Sequence, residues 1–552
     1  MINIIDITKN VKKNYSKYLL LIIIIYFMFS NIIYLTKDQT PTAWDDSWNL
    51  LASNYYFKIS TGQETRSPEE FGKVFPIFTH ATNSYPPFFK LSSLPLYFLF
   101  GFSPDIAVFT NLFFYLILIF SVYFLTKKIM NTSAALLACF IVSTYPIMIE
   151  MSRVYLLDFA FASLMIAGLV LFVQTNNFLS RRNTIIFSII LGLGTLTKIH
   201  YPIIIFPSII FLFMFNLTKN KFSFNKKQTL NLVLMIVIYF AIISTWIINK
   251  FSMILYYLTT FTSKAWASHE GDSSWKTIDG AFYYLRAMIN GASFFYFILF
   301  CVAIIAIIWI LYLNKKYLDE KNVIIYYLLF FIVSVIIIFT IIANNDKRYI
   351  LPIFPVIAII SSIGLWKIRF KPKVIRTILI LIIVVFALLQ INQQTLGFEI
   401  TKQDIILKST IGNIDFLTDQ KSAVKKPLYE DWKIKEMMLY IKEDITISRS
   451  KSAVGVYVIL PNFNDINLQM YAYIYDVPAS YIALGSIQKY DYYDYLIIKE
   501  GDVGREVLKP IIENIKQDQN YMEINSFLLP DGTFAKVYKK TNNRLPNQET
   551  FC

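Results

Sequence analysis

Residues 18–35, with the sequence YLLLIIIIYFMFSNIIYL, form an uncharged apolar run near the start of the chain. Lys9, Lys12, Lys13 and Lys17 precede this run, and no small-residue cleavage site follows it. Its length suits the roughly 30 Å hydrocarbon core of a bilayer. The pattern predicts a signal anchor that is retained as the first transmembrane helix.

Further apolar blocks of similar length follow along the chain. Hydrophobic residues make up 56% of the sequence, charged residues only 16%, and the mean hydropathy is +0.50. Soluble domains carry roughly a quarter charged residues, so composition excludes that class. The sequence therefore predicts a mainly α polytopic membrane protein with about eleven transmembrane helices. We place them at 18–35, 105–126, 133–150, 154–174, 184–198, 201–217, 229–250, 291–313, 322–343, 348–366 and 374–391.

Lys and Arg are distributed unevenly among the short connections between these spans. With the N-terminus inside, twenty fall in inside segments and four in outside turns, namely Arg153, Lys198, Lys347 and Arg348. This positive-inside bias predicts a multi-pass protein of the cell membrane, with a cytoplasmic N-terminus and an extracytoplasmic C-terminus. It also explains the net charge of +15, which therefore does not indicate nucleic-acid binding.

The same topology predicts two domains. A transmembrane domain at 1–391 carries two long outer loops, about 36–90 and 251–290, and residues 392–552 form an extracytoplasmic domain. Alternation of apolar residues near strand or helix spacing predicts a small α/β fold for this domain. The segments concerned are strand-like Val454–Leu460 and Tyr495–Ile498 and helix-like Trp432–Ile441.

An acidic pair opens the first outer loop, in the sequence Trp44-Asp45-Asp46-Ser47-Trp48. Tryptophans favour the headgroup region, so these carboxylates are expected at the depth of a lipid-linked phosphate. An Asp there can act as a general base towards a hydroxyl acceptor, or orient it. The alternative is that the two carboxylates cap a surface helix at Ser47.

Other polar residues gather at the remaining outside turns. Tyr85 precedes two prolines that fix an extended backbone, which is either architectural or shapes a substrate groove. Arg153 and Asp158 flank the turn between the third and fourth spans. Ionisable groups at membrane depth are normally paired or functional, so a clamp of Arg153 with Asp158 or Glu150 is the alternative to a binding role.

The next two outside turns carry cations. Lys198 and His200 lie in one turn, and Lys347, Arg348 and Tyr349 lie in the other. A lysine there either binds a phosphate or extends its ammonium to the membrane interface. Arg348 lies at a predicted helix start, where the helix dipole disfavours a cation, and this placement indicates a functional role. Charged residues therefore lie at four outside connections, whereas long stretches of the predicted spans carry no charge. This distribution favours an enzyme that acts at the outer surface on a lipid-borne substrate.

The ordered set of motifs resembles the GT-C glycosyltransferases, specifically the protein O-mannosyltransferase and aminoarabinose-transferase group, over residues 15–390. The matching elements are the acidic pair Asp45-Asp46, Tyr85-Pro86-Pro87, the segment from Arg153 to Asp158, Gly192–Lys198, and Arg348-Tyr349-Ile350-Leu351-Pro352. The family more often has Glu as the second acid. The Trp-Trp-Asp signature of oligosaccharyltransferases is absent from the sequence.

The resemblance implies inverting transfer of a sugar from a polyprenyl-phosphate donor at the outer face. Asp45 is then the base or acceptor-orienting group, and Asp46 supports it. Lys198 and Arg348 are expected to hold the lipid phosphate. The wider set of expected substrate-binding residues is Tyr85, Arg153, Asp158, Lys198, His200, Lys347, Arg348 and Tyr349. The partners are the lipid-linked donor, membrane lipids and an acceptor that is a glycan, a lipid or a protein.

Several points stay open at this level. The donor sugar is not readable, and a divalent metal at the two carboxylates is undecided, although this group of enzymes is generally thought not to need one. A lipid-linked sugar flippase is the main alternative, but it predicts broken helices with polar residues near mid-membrane. An inactive scaffold that binds envelope partners is the second alternative.

Overall fold

The computed structural model describes residues 4–76, 78–79, 82, 85–219, 225–260, 275–314, 319–342, 345–368, 370, 372, 374–397, 406–409, 412–415, 427–448, 452–485 and 490–541. The chain forms two compact units, each assembled from separate stretches. We call Met1–Leu35, Tyr85–Phe89 and Val108–Pro427 the helical unit. We call Thr36–Ser84, Lys90–Ala107 and Leu428–Cys552 the mixed unit.

The helical unit consists of long apolar helices with short connections. Its helices are Ile4–Lys37, Thr110–Ile129, Thr132–Val142, Pro146–Ser152, Leu157–Gln174, Arg181–Thr195, Tyr201–Lys219, Lys226–Thr260, Ile278–Ala281, Tyr283–Ala292, Phe294–Asn314, Glu320–Ile341, Ile353–Lys367 and Val374–Leu396. A 3₁₀ turn spans Lys347–Ile350, and strands β1 (Ile406–Ser409) and β2 (Gly412–Asp415) form an antiparallel hairpin.

Every predicted span coincides with helix, but not all of these helices have the length of a full crossing. Within the described residues, eight helices are long and apolar enough to cross a membrane. A ninth candidate is the pair Thr132–Val142 and Pro146–Ser152, which is bent by 65° at a short break. Helices Arg181–Thr195 and Ile353–Lys367 have only 15 residues each. The multi-pass membrane architecture predicted from the sequence is confirmed.

Burial within the helical unit separates central helices from peripheral ones. Leu157–Gln174 is almost entirely buried, and Ile353–Lys367 is buried from Ile353 to Leu365. A Cβ at Gly364 would lie 2.3 Å from the Cβ of Ala303, so the absence of a side chain there permits close packing of two helices. Lys226–Thr260 instead exposes apolar side chains along most of its length, as a lipid-facing helix does.

The mixed unit combines helices with a sheet. Its helices include Trp44–Ser60, Pro68–Val74, Leu94–Phe100, Ile434–Ser448, Asp465–Ile474 and Lys509–Gln517, and the short helix Phe88–Leu91 begins in the helical unit. Its strands are β3 (Ser452–Tyr457), β4 (Ile459–Leu460), β5 (Phe463–Asn464), β6 (Ala479–Leu484), β7 (Tyr495–Lys499), β8 (Tyr521–Leu528) and β9 (Phe534–Lys540). The α/β character predicted for the C-terminal region is confirmed.

The main sheet of the mixed unit has five strands in the order β6-β3-β7-β9-β8. β6 and β7 run parallel to β3, whereas β9 is antiparallel to β7 and β8. All five residues of β7 are buried, as expected for a strand near the centre of a sheet that is covered on both faces. β6 lies at one edge of the sheet.

Candidate functional site

The acidic pair lies in the mixed unit, in the first turn of helix Trp44–Ser60. Asp45 is half-buried and Asp46 is buried, with 8% exposure. The residue that caps this helix is Ala43, which makes no side-chain cap, so the alternative of a cap at Ser47 is wrong. Acidic side chains in the first turn of a helix interact favourably with the helix dipole.

Neighbouring residues fix this helix start within the mixed unit. The hydroxyls of Thr42 and Ser47 share a hydrogen bond of 2.7 Å. The side-chain amide of Asn467 donates to the Thr42 carbonyl and, at 3.2 Å, to the Ser47 hydroxyl. Asn467 belongs to helix Asp465–Ile474, so a segment of the predicted C-terminal domain holds the acidic pair's helix in place.

In the helical unit, Lys198 and Asp158 form a buried ion pair. The Lys198 Nζ lies 2.6 Å from the Asp158 Oδ1, and the two side chains are only 7% and 3% exposed. Asp158 starts the buried helix Leu157–Gln174, whereas Lys198 lies just beyond the end of Arg181–Thr195. Two charges out of water are tolerated when each has the other as a partner.

Aromatic rings surround this pair. The Lys198 Nζ is 5.7 Å from the ring centroids of both Phe161 and Tyr349, within the range of cation–π attraction. His200 packs edge-on against Phe161, with centroids 5.1 Å apart, and lies 6.4 Å from Tyr349. Burial, and secondarily Lys198, lowers the pKa of His200 to about 3, so this imidazole is neutral at ordinary pH. The fold thus brings Asp158, Lys198, His200 and Tyr349 together.

Two further ion pairs lie at the turn that precedes Ile353–Lys367. Arg348 Nη2 lies 2.5 Å from the Asp346 Oδ2, and Asp346 also accepts a hydrogen bond from the Arg348 backbone N–H. Although burial disfavours its charged form, the Arg348 guanidinium holds the pKa of the Asp346 carboxyl below its ordinary value. The Lys347 Nζ lies 3.0 Å from the Glu150 Oε2. Sequence reasoning did not select Asp346, although its position beside Lys347 and Arg348 was a signal.

Arg153 is buried within the helical unit, where it joins three segments. Its guanidinium donates to the Asn31 side chain at 2.8 Å, to the Thr395 hydroxyl at 2.7 Å and to the Gln394 carbonyl at 3.0 Å. It also stacks over the Tyr34 ring at 4.4 Å. These partners differ from the two clamps that the sequence suggested, because Asp158 and Glu150 pair with lysines from other turns. The substrate-binding role of Arg153 stays a prediction.

Tyr85–Phe89 belongs to the helical unit, and the next stretch of the chain, Lys90–Ala107, belongs to the mixed unit. Tyr85 is half-buried, and the Phe88 backbone N–H donates to the Leu196 carbonyl within the helical unit. Lys90, in the mixed unit, is fully buried, and burial lowers its pKa to about 7. Sequence reasoning missed Lys90, although a lysine among apolar residues, three positions after Pro87, was visible.

Among the described residues, no group of three or more His, Cys, Asp or Glu side chains could hold a metal ion. The question of a metal, which the sequence left undecided, stays undecided.

Residues 85–249 match the model of a family described as dolichyl-phosphate-mannose-protein mannosyltransferase. This stretch contains Tyr85, Arg153, Asp158, Lys198 and His200. Comparison with curated proteins gives no significant match.

Solved structures extend the likeness to most of the chain. ArnT from Cupriavidus metallidurans bound to undecaprenyl phosphate matches with a TM-score of 0.55 and 12% identity, over 95% of this chain and 98% of that one. The archaeal oligosaccharyltransferase AglB from Archaeoglobus fulgidus, in complex with an inhibitory peptide and a dolichol-phosphate, matches with a TM-score of 0.52 and 13% identity. That match covers 98% of this chain and 75% of AglB.

The chain resembles glycosyltransferases in sequence and in fold. The GT-C resemblance predicted from the short motifs is therefore confirmed, and so is the predicted fold class. AglB shares the fold although the Trp-Trp-Asp signature of oligosaccharyltransferases is absent from this sequence. At such low identity the structural matches establish shared architecture, and the roles of individual residues have to be argued from this chain.

Proposed function

We propose that the protein is a membrane glycosyltransferase that moves a sugar from a polyprenyl-phosphate-linked donor to an acceptor at the outer face, with inversion at the anomeric carbon. The observation that carries the proposal is the fold likeness to ArnT over 95% of the chain, since that ArnT structure is bound to undecaprenyl phosphate. AglB, a second fold relative, is in complex with a dolichol-phosphate. The mannosyltransferase family match at 85–249 supports the same donor chemistry.

The cations of the helical unit are proposed to hold the lipid phosphate. Arg348 is the best candidate, because it is 26% exposed, keeps its charge and can bind phosphate through two N–H groups at once. Lys198 is more deeply buried and supplies a second positive charge near Tyr349. As the bond from the sugar to the phosphate oxygen breaks, negative charge develops on that oxygen, and fixed cations in a dry site stabilise it strongly.

The acidic pair of the mixed unit is proposed to act on the acceptor. The acceptor hydroxyl attacks the anomeric carbon from the side opposite the phosphate, which forms the new glycosidic bond with inversion. Asp45 takes the hydroxyl proton or orients the hydroxyl, and the buried Asp46 supports it. The acceptor is a glycan, a lipid or a protein at the membrane surface.

The proposal is tested by measuring consumption of donor on purified protein. A panel of polyprenyl-phosphate sugars is incubated with a detergent extract of the host envelope as the source of acceptor. Wild type is compared with Asp45→Asn and with the matched control Asp502→Asn, an exposed aspartate of the same unit whose carboxylate accepts from the Gly504 N–H. An asparagine can keep that contact, so the control should fold and act as wild type does.

Donor turnover in wild type and the control, with loss of about 100-fold or more in Asp45→Asn, supports the proposed role of Asp45. Equal turnover in all three proteins would remove Asp45 from the mechanism. If no donor is consumed but a labelled lipid-linked sugar crosses the bilayer of reconstituted vesicles, the flippase alternative is correct instead.

A further inference from the structure

A cavity in the mixed unit is lined by residues from two distant parts of the sequence. Its volume is about 450 Å³, large enough for a small polar ligand to enter. The lining residues come from the first outer loop and from the segment between helix Asp465–Ile474 and strand β6. They include Arg66, Phe75, Tyr473, Asp476 and Ser480.

Charged side chains at this cavity are already neutralised in pairs. The Arg66 guanidinium binds both carboxylate oxygens of Glu64, with Nε–Oε1 at 2.9 Å and Nη2–Oε2 at 2.6 Å. The Lys58 ammonium lies 2.5 Å from the Asp476 carboxylate. Two cations and two anions give these four groups no net charge, and the most exposed of them is the Asp476 carboxylate, which disfavours a phosphate or another anion at this cavity.

The same groups nevertheless offer hydrogen bonds in fixed directions. A guanidinium has five N–H groups, of which the pair with Glu64 uses those of Nε and Nη2, and the Arg66 side chain lines the cavity and is 38% exposed. The Asp476 side chain is 72% exposed, so its carboxylate can accept from a hydroxyl while it keeps Lys58. Ser480 is exposed at the rim and adds a hydroxyl.

Aromatic rings supply the apolar part of the lining. Tyr473 and Phe75 have ring centroids 5.6 Å apart and meet edge to face. The Lys58 ammonium lies 4.3 Å from the centroid of the Tyr473 ring, which holds that ring in position. Phe75 and Tyr473 are only 2% and 3% exposed, so a ligand is bound mainly by the directional donors and acceptors around them. Such a lining, without net charge, suits a neutral ligand with many hydroxyls. A neutral sugar has this combination.

Helix Trp44–Ser60 connects this cavity with the acidic pair. Asp45 lies in its first turn, and Lys58 lies in its last turn. At a rise of 1.5 Å per residue, the two positions are about 20 Å apart along the helix axis. A ligand that reaches both therefore has to be extended and several sugar units long.

We propose that the cavity beside Arg66, Tyr473 and Asp476 is a distal subsite for a neutral glycan chain, which is the acceptor of the transferase. The identification of this glycan as the acceptor rests on the proposed function, but the binding of a neutral glycan can be measured without any transfer. Of the three acceptor classes, a glycan, a lipid and a protein, the proposal selects the glycan.

The test is a binding experiment on full-length protein in lipid nanodiscs. The probes are neutral linear oligosaccharides of increasing length, acidic oligosaccharides, and a set of unstructured peptides. The variants are Asp476→Asn, which removes an acceptor group, and Ser480→Trp, which fills the rim. Glu506→Gln is the matched control, since Glu506 is an exposed, ion-paired acid of the same unit that does not line the cavity.

We expect at least one neutral oligosaccharide to bind wild type, with affinity rising with chain length, and to bind the control equally. Both cavity variants should bind it about tenfold more weakly, as expected for a lost hydrogen bond to a charged group. Equal binding to all variants, binding of peptides or acidic glycans only, or no binding at all would overturn the proposal. If Asp45→Asn loses transfer but keeps glycan binding, both proposals hold. If binding is seen and transfer is absent in wild type, only the proposed function fails.

Discussion

The ion pair between Lys198 and Asp158 leads to a quantitative prediction about stability. Both side chains are nearly inaccessible and their charged atoms lie 2.6 Å apart. Asp158→Asn leaves a buried ammonium without its counter-charge, and Lys198→Met leaves a buried carboxylate in the same state. Breaking a buried pair in this way costs about 3–5 kcal/mol. We therefore expect each single variant to lose about 3–5 kcal/mol of unfolding free energy.

The double variant should be more stable than either single variant. With Asn at 158 and Met at 198, no uncompensated charge remains in the interior, and the loss relative to wild type should be within about 2 kcal/mol. The four proteins form a double-mutant cycle, measured by denaturation with sodium dodecyl sulfate in lipid–detergent bicelles. The exposed pair Lys509–Glu506 provides a control cycle, for which we expect a coupling energy below about 1 kcal/mol.

The same cycle separates a structural role of Lys198 from a catalytic one. If Lys198 stabilises the leaving phosphate, the double variant recovers stability but not donor turnover. Additive losses from the two single variants, or a stable Asp158→Asn variant, would refute the reasoning about the buried pair. Full turnover in the stable double variant would refute the phosphate role.

Three further predictions concern other parts of the molecule. Asp346 adds stability above about pH 4 that is lost as pH falls through its lowered pKa; Arg348→Ala removes the main cause of that lowering, so the thermal midpoint of the variant should fall less on acidification below about pH 4 than that of wild type. Gly364→Ala places a Cβ 2.3 Å from that of Ala303, and this overpacking should cost about 1–3 kcal/mol in the same denaturation assay. Ser67→Ala removes the cap of helix Pro68–Val74, and hydrogen exchange of that helix should accelerate by about fivefold, corresponding to roughly 1 kcal/mol.

Apolar run length predicted the membrane helices because a bilayer imposes its thickness on the sequence. It could not show where a run bends or stays short. Pro146 starts a new helix after a break, and Ile353–Lys367 has only 15 residues although the apolar run is longer. Burial by neighbouring helices lets a short helix stay apolar, and run length alone contains no information about neighbours.

The composition of the mixed unit was not predictable from local patterns. The contacts that hold it join residues more than 400 positions apart, such as Lys58 with Asp476 and Ser47 with Asn467. The local sequence around each of these side chains gives no sign of its distant partner. Likewise, charge at membrane depth singled out Asp158 and Lys198, but only the fold shows that they are partners.

The proposed reaction is tested most directly by transfer of labelled sugar from a purified polyprenyl-phosphate donor by purified protein, measured together with the release of free polyprenyl phosphate. We expect both products to appear in equal amounts in wild type, and to fall by about 100-fold or more in Asp45→Asn and in Arg348→Ala while the proteins stay folded. Unchanged product formation in both variants would contradict the proposed reaction, as would sugar translocation across vesicles with no release of polyprenyl phosphate.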